Sequence, residues 1–171
     1  MRHFLLVIFS IFTLTCYSQD KVELITKSDT IRLLQQIIRE GKMISTSGVG
    51  VAGMPSKQWY SFAFLLSLVN KDQLFEMTKD TSACLRLHVY IGLLHLKYPN
   101  IDKVKSYLST DTTRLSSIEG CLLGNTTVQT AITEINHWYV RREMSHFLTS
   151  IQTNHEYRKI VFDQIITRQY N

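Results

Sequence analysis

The apolar residues of segment 83–99 recur at helical spacing on two sides of the chain. Wound at 3.6 residues per turn, they form two rows on nearly opposite faces, namely Leu85, Val89, Leu93 and Leu96, and Leu87, Ile91 and Leu94. A helix on the surface of a simple bundle has one apolar face, so two faces indicate neighbours on both sides. Pro99 ends the helix because proline has no amide hydrogen to donate. The pattern predicts a central helix packed between layers.

Helical periodicity also appears before and after this stretch. One helix is predicted from a cap at Ser28 or Asp29 to Glu40, and another from Ser56 to about Val69. Two more amphipathic helices are predicted at roughly 127–150 and 157–168. Segment 41–53 holds four of the seven glycines and is interpreted as a flexible connector.

A short pattern occurs twice, at an offset of about 30 residues. Each copy has an Asn-x-Asp start and an Asp-Thr turn, at 70–72 and 80–81 in the first copy and at 100–102 and 111–112 in the second. A period of this size is typical of helical solenoids, in which each unit must stack on its neighbours. We therefore predict an all-α fold of stacked antiparallel helix pairs, with repeat units at about 70–99 and 100–125.

Several segments carry a resemblance to a known group of proteins: Gly53-Met54-Pro55-Ser56-Lys57-Gln58-Trp59-Tyr60, Leu74-Phe75-Glu76-Met77-Thr78-Lys79-Asp80, Cys84-Leu85-Arg86-Leu87-His88-Val89-Tyr90, Asp111-Thr112 and Gly120-Cys121. They are similar to HEAT-like helical-repeat proteins exported by bacteria of the Bacteroidetes type. The resemblance implies a HEAT-like or armadillo-like α-α superhelix, an exported protein and a surface that binds other proteins, with no assigned activity. The chain departs from the group in the second repeat and beyond Val128.

The first residues have the pattern of a secretory signal peptide. Met1-Arg2-His3 is a short basic start, and the apolar run 4–14 that follows is too short to span a bilayer. Cleavage after Ser18 would leave 19–171 as a single exported domain, in the periplasm or outside the cell. The alternative is a lipid anchor on Cys16. No later apolar run reaches about twenty residues, so the mature chain is not expected to span a membrane.

Composition fits one folded domain. The chain has 171 residues, of which 44% are hydrophobic and 19% charged, enough for a core. Without Arg2 it has 18 basic and 14 acidic residues, and the excess is spread along the sequence. Nucleic-acid binding would favour a concentrated basic stripe. We therefore expect a protein partner and no nucleic acid.

Two cysteines remain after the signal peptide, Cys84 and Cys121. In an oxidising compartment they can form a disulfide that ties neighbouring helices together. The other interpretation is a pair of free thiols, because the sequence does not give the distance between their Cα atoms.

One motif matches a nucleotide-binding pattern by its letters. Gly48, Gly50 and Gly53 fit G-x-G-x-x-G, in which glycines let the backbone approach a pyrophosphate. Segment 42–47 is a poor strand for that motif, and no parallel sheet is predicted around it. An alternative function follows nevertheless: a small-ligand carrier or enzyme whose site combines this loop with His88 and His95, which share a polar seam of the central helix.

Other catalytic and metal-binding patterns are missing from the sequence. Helical metal sites use pairs at i and i+4, whereas His88 and His95 are seven residues apart, and His137, His146 and His155 are nine apart. No serine lies in a G-x-S-x-G elbow, and no carboxylates are spaced as an obvious pair. We predict no catalytic residues, no cofactor and no metal, and therefore a protein that is not an enzyme.

Aromatic residues beside arginines provide the remaining candidates. Trp and Arg side chains dominate binding hot spots, so the predicted interaction surface consists of Trp59, Tyr60, Trp138, Tyr139, Arg141 and Arg142. Core packing is the competing interpretation of both tryptophans. The predicted function is an exported, non-enzymatic module with an interaction or scaffold role in the cell envelope. A structural envelope lipoprotein is a further alternative.

Overall fold

The computed structural model of the protein describes residues 26–49 and 54–135, which combine helices with a sheet. The helices are α1 (Lys27–Gly41), α2 (Lys57–Leu68), α3 (Lys71–Glu76), α4 (Ala83–His95), α5 (Ile101–Leu108) and α6 (Val128–Glu134), with a 3-10 turn at Met77–Lys79. The strands are β1 (Met43–Val49), β2 (Met54–Pro55), β3 (Arg114–Gly120) and β4 (Leu122–Thr127). The prediction of an all-α, HEAT-like or armadillo-like stack is therefore wrong.

The sheet is mixed and has the strand order β2-β1-β3-β4. β1 pairs with β2 antiparallel and with β3 parallel, so that Met43 lies opposite Ser116. β3 and β4 form an antiparallel hairpin in which Glu119 pairs with Leu122, which leaves a two-residue turn between them. β4 is the outermost strand on its side of the described sheet.

Helix α4 lies at the centre of the fold, as the apolar pattern predicts. It contacts α1, α3, α5 and α6 as well as β1 and β3. Both predicted rows of apolar side chains are buried along the helix, from Leu85 and Leu87 to Leu93 and Leu94. A core on both sides of one helix is confirmed, although a sheet forms part of it where a further helical layer was predicted.

The first two predicted helices are present. α1 begins two to three residues earlier than expected, because Thr26 rather than Ser28 or Asp29 caps it, in a reciprocal capping box with Asp29. Ser56 caps α2 by accepting a hydrogen bond from the amide of Trp59. Local capping residues therefore place both helix starts.

The two copies of the repeated pattern have in common a short helix and the turn that follows it. Asp80 and Asp111 accept from the amides two residues later, those of Ser82 at 2.9 Å and Thr113 at 3.0 Å. The first turn leads into α4, whereas the second leads into β3. The predicted second helix of unit 100–125 is therefore wrong.

Long-range pairing explains the two segments where strands replace the predicted structure. Segment 114–127 is rich in serine, threonine and glycine, which are weak helix formers. β1 lies where a flexible connector was predicted, and its parallel partner β3 is about 70 residues away in sequence. Neither strand has a strong alternating pattern of its own, so pairing and burial decide the outcome.

Beyond α6 the chain leaves the described region. The predicted helix at 127–150 is present over Val128–Glu134, after which Ile135 is extended. The predicted helix at 157–168 and the signal peptide at 1–18 lie outside the described residues. Within 26–49 and 54–135, no helix combines the length and apolarity needed to cross a membrane.

Candidate functional site

Four polar side chains share one face of the β3–β4 hairpin. Arg114 lies opposite Thr127, and Ser116 lies opposite Asn125, in the antiparallel ladder. Because residues two apart on a strand point to the same side, these four side chains form one patch. Leu115 points the other way and is buried in the core. Near its base the hairpin therefore places Leu115 in the core and these four polar side chains on the opposite, outer face.

A concavity of about 540 Å³ opens over this outer face. Lys42 reaches it from the end of α1, where it adopts the left-handed conformation (φ 51°) and turns the chain into β1. Thr130 reaches it from the first turn of α6. We call this feature the cationic concavity; the residues used below are Lys42, Arg114, Ser116, Asn125, Thr127 and Thr130.

The charge of the cationic concavity is uncompensated within the described part of the chain. None of the described residues that line it is a carboxylate, and neither Lys42 nor Arg114 forms an ion pair with a described residue. Thr127 is partly engaged, since its hydroxyl accepts from the Thr130 amide at 3.1 Å and caps α6. Ser116 and Asn125 are exposed on the strands. The arrangement offers two cations and several hydrogen-bonding groups to an anion.

The tip of the same hairpin is apolar and exposed. Leu122 and Leu123 are each 76% exposed, and Cys121 beside them is exposed as well. Successive residues of a strand point to opposite faces, so one leucine extends each face of the sheet at its margin. Two adjacent exposed leucines on an outermost strand are a candidate contact surface.

The predicted histidine seam does not form an open site. His88 is completely buried, and its Nδ1 donates to the Cys84 carbonyl oxygen at 2.8 Å. No described residue forms a hydrogen bond with its Nε2. Burial lowers the pKa of His88 to about 4, with only partial opposition from the Cys84 carbonyl. His95 lies at the end of α4 and is half-buried.

Cys84 lies beside His88 in the core and is chemically quiet. Its thiol donates to the Met43 carbonyl oxygen at 2.9 Å and accepts from Gln58 Nε2 at 3.2 Å. Burial raises the pKa of this thiol to about 12, against smaller opposing effects of the two hydrogen bonds. Since the thiolate is the reactive form, the nearby imidazole does not make Cys84 a nucleophile. The predicted disulfide between Cys84 and Cys121 is not formed, and both cysteines are free thiols.

The two cysteines are expected to differ sharply in reactivity. Iodoacetamide should alkylate Cys121 in the native protein and reach Cys84 only after unfolding, because Cys84 is buried and holds its proton. Peptide mapping by mass spectrometry before and after guanidinium denaturation measures this. Labelling of Cys84 in the native protein at the rate of Cys121 would contradict the expectation.

The other predicted site residues are buried or lie outside the described residues. Trp59 and Tyr60 are 2% and 9% exposed and belong to the core, so their prediction as an interaction surface is wrong. Gly48 lies in β1, and Gly50 and Gly53 are outside the described residues. The same holds for the remaining candidates, His137, Trp138, Tyr139, Arg141, Arg142, His146 and His155. Among residues 26–49 and 54–135, no cluster of three His, Cys, Asp or Glu side chains could hold a metal.

The residues of the cationic concavity were missed. Lys42 and Arg114 are 72 residues apart, and only the parallel pairing of β1 with β3 brings them together. The exposed hairpin tip had a signal: Leu122 and Leu123 stand between Gly120 and Gly124, a spacing that also fits a tight turn and a strand. The prediction of a helical unit at about 100–125 does not take this spacing into account.

Comparison with protein-family models, with curated proteins and with solved structures finds no match to this chain. The described residues define its class directly: a mixed α/β domain with a central buried helix, an outermost strand β4 and a cationic concavity on the outer face. The resemblance to a group of exported proteins stays a prediction from the segments that carry it, but the HEAT-like repeat fold that it implied is wrong.

Proposed function

We propose that the protein is a non-enzymatic interaction module that binds an extended segment of another protein along β4. The observation that carries this proposal is the exposed pair Leu122 and Leu123 on the outermost strand of the hairpin. Strand addition supplies backbone hydrogen bonds along the edge, and exposed side chains supply apolar contacts.

The composition of β4 supports strand addition. Natural edge strands are usually protected against pairing by lysine, proline, a bulge or very short length. β4 has six residues, Leu122–Thr127, with no charged residue and no proline, and its register with β3 is unbroken. An unprotected edge of this kind is suited to an added strand.

The proposed absence of enzymatic activity rests on the core. His88 and Cys84, the two residues with the most distinctive chemistry in the described chain, are buried and held neutral. The sequence pattern at Met1–Ser18 supports a place of action in the cell envelope or outside the cell, which remains part of the proposal.

Leu123→Lys tests the proposal. We expect it to weaken partner binding by roughly tenfold to a hundredfold, because burying a leucine contributes about 1.5–3 kcal/mol and a lysine would carry a charge into the contact. Partners are captured from envelope extracts with the wild-type protein, purified and titrated against both proteins. Hydrogen exchange then locates the contact, with protection expected at Leu122–Thr127.

Tyr107→Lys is the matched control. Tyr107 is another exposed large apolar side chain, 59% exposed on α5, and its replacement should leave partner affinity unchanged. Equal binding by Leu123→Lys and wild-type protein would overturn the proposal. Concentration-dependent dimers that Leu123→Lys abolishes, with no foreign partner, would instead assign the strand to a second copy of the chain and would also overturn it.

A further inference from the structure

We infer that the cationic concavity is a binding site for a small polar molecule that carries an oxyanion, a phosphate or a carboxylate. The inference does not depend on strand addition, because it concerns the outer face of the hairpin near α1 and α6 rather than the apolar tip. Its volume, about 540 Å³, lies within the range of small-molecule sites.

The two cations reach the site from different elements. Arg114 opens β3, and its guanidinium presents a planar fork suited to two oxygens of a phosphate or carboxylate. Lys42 contributes a point charge from the turn between α1 and β1. Since neither forms an ion pair with a described residue, an anion bound here would not displace a partner in the described part of the chain.

The neutral groups around the cations indicate a ligand with hydroxyl or amide groups next to its charge. Asn125 has both donors and acceptors, and the Ser116 hydroxyl can donate or accept on the same face. Thr127 and Thr130 are bonded to each other through their hydroxyls at 2.9 Å, which holds that wall of the concavity in place. An anion without other polar groups would form no hydrogen bonds with these side chains, whereas the hydroxyl groups of an acidic sugar would.

Three sugars that share one ring and differ in charge test the inference. Isothermal titration of the full-length protein with glucose 6-phosphate, glucuronate and glucose is expected to show saturable binding of one or both charged sugars and much weaker binding of glucose. If only glucose 6-phosphate or only glucuronate binds, the result identifies which oxyanion the site takes. No saturable binding of either charged sugar up to about 10 mM would overturn the inference, as would equal binding of glucose.

Substitutions locate the binding. Arg114→Gln is expected to weaken the charged sugar roughly tenfold or more, because a charge-assisted bond is lost. Arg114→Lys keeps the charge but not the planar fork, so its affinity for the charged sugar should lie between those of the wild type and Arg114→Gln. Lys71→Gln removes one exposed positive charge from α3 and should bind as the wild type does. Equal weakening by Lys71→Gln and Arg114→Gln would mean attraction to net charge only and would overturn the site.

Discussion

The Arg86→Met variant is expected to unfold with about 3 kcal/mol less free energy than the wild-type protein, because it removes one partner of a largely buried ion pair. Arg86 donates from Nε and Nη2 to Asp111 Oδ2, at 2.9 and 2.5 Å. The two side chains are only 11% and 17% exposed. Methionine retains the apolar stem but leaves the Asp111 carboxylate without its cation. Urea unfolding followed by circular dichroism measures the difference.

The position of Arg86 in the fold explains why the loss is large. Its Nη1 also donates to the carbonyl oxygens of Asp80 and Thr81, at 2.6 and 2.9 Å. The Asp80 carboxylate in turn receives the guanidinium of Arg39, whose Nη2 lies 2.6 Å from Oδ2. One continuous series of hydrogen bonds thus joins α1, the start of α4 and the turn before β3. Removing Arg86 interrupts it at the centre.

The carboxylates of Asp80 and Asp111 stay ionised in the fold. Burial raises the pKa of Asp111, but hydrogen bonds from Thr113 and Arg86 outweigh it and leave the pKa below its ordinary value. For Asp80, burial is likewise outweighed, chiefly by the hydrogen bond from Arg39. A carboxyl group whose pKa is lowered by folding stabilises the fold at neutral pH. The contributions of Asp80 and Asp111 are therefore fully present in the wild-type protein when unfolding is measured at neutral pH.

Lys79→Met provides the control for a surface ion pair. Lys79 and Glu76 are 2.7 Å apart, yet their side chains are 58% and 64% exposed. Exposed pairs contribute within about 1 kcal/mol, because solvent and salt screen them. A loss in Arg86→Met no greater than the loss in Lys79→Met would contradict the structural role assigned to Arg86.

The helical part of the fold was predictable because its information is local. The two apolar rows around Leu85 and Leu87 identify α4, and Ser56 identifies the start of α2. The Asp-Thr pairs were predicted as turns, and the side chains of Asp80 and Asp111 do fold back on the chain. Each of these features depends on residues within one or two turns of each other.

The sheet was not predictable from local pattern. After the Asp80 turn the chain has an apolar run with good helix formers, whereas after the Asp111 turn it has serines, glycines and threonines that form strands only when paired. β3 pairs with β1, and four helices lie between these two strands in the sequence. Similar turns therefore lead into different elements, and the apparent repeat gave a wrong fold class.

The candidate site follows from the sheet, and so it was missed with it. Lys42 was part of a predicted connector and Arg114 part of a predicted helix, and neither has a charged neighbour in sequence that suggests a site. The residues that were prominent in the sequence, His88 and Trp59, are prominent because they fill the core. A histidine or a tryptophan is conspicuous in a sequence as a candidate for binding. In this fold burial makes both side chains inaccessible to a ligand.

His88 has a strongly apolar environment among the described residues. The Phe62 ring meets it edge to face at 5.3 Å between centroids, and the Trp59 ring lies 6.4 Å away. The Cys84 thiol, whose Sγ lies 3.6 Å from Nδ1, stays protonated because burial raises its pKa to about 12. No described carboxylate forms an ion pair with this imidazole. A proton on His88 would therefore be a buried charge without a counter-charge.

We accordingly expect the wild-type protein to lose about 3 kcal/mol of stability on acidification that the His88→Leu variant keeps, since a shift of one pKa unit corresponds to about 1.4 kcal/mol. Burial lowers the pKa of His88 from 6.5 to about 4. Between these values the unfolded chain binds a proton that the folded chain does not, so stability is complete above pH 6.5 and falls as the pH decreases toward 4. Urea unfolding of both proteins at pH 7.5, 5.5 and 4.5 measures the difference, in which all other titrating groups cancel. Parallel pH profiles of the wild type and His88→Leu would contradict a neutral, buried His88.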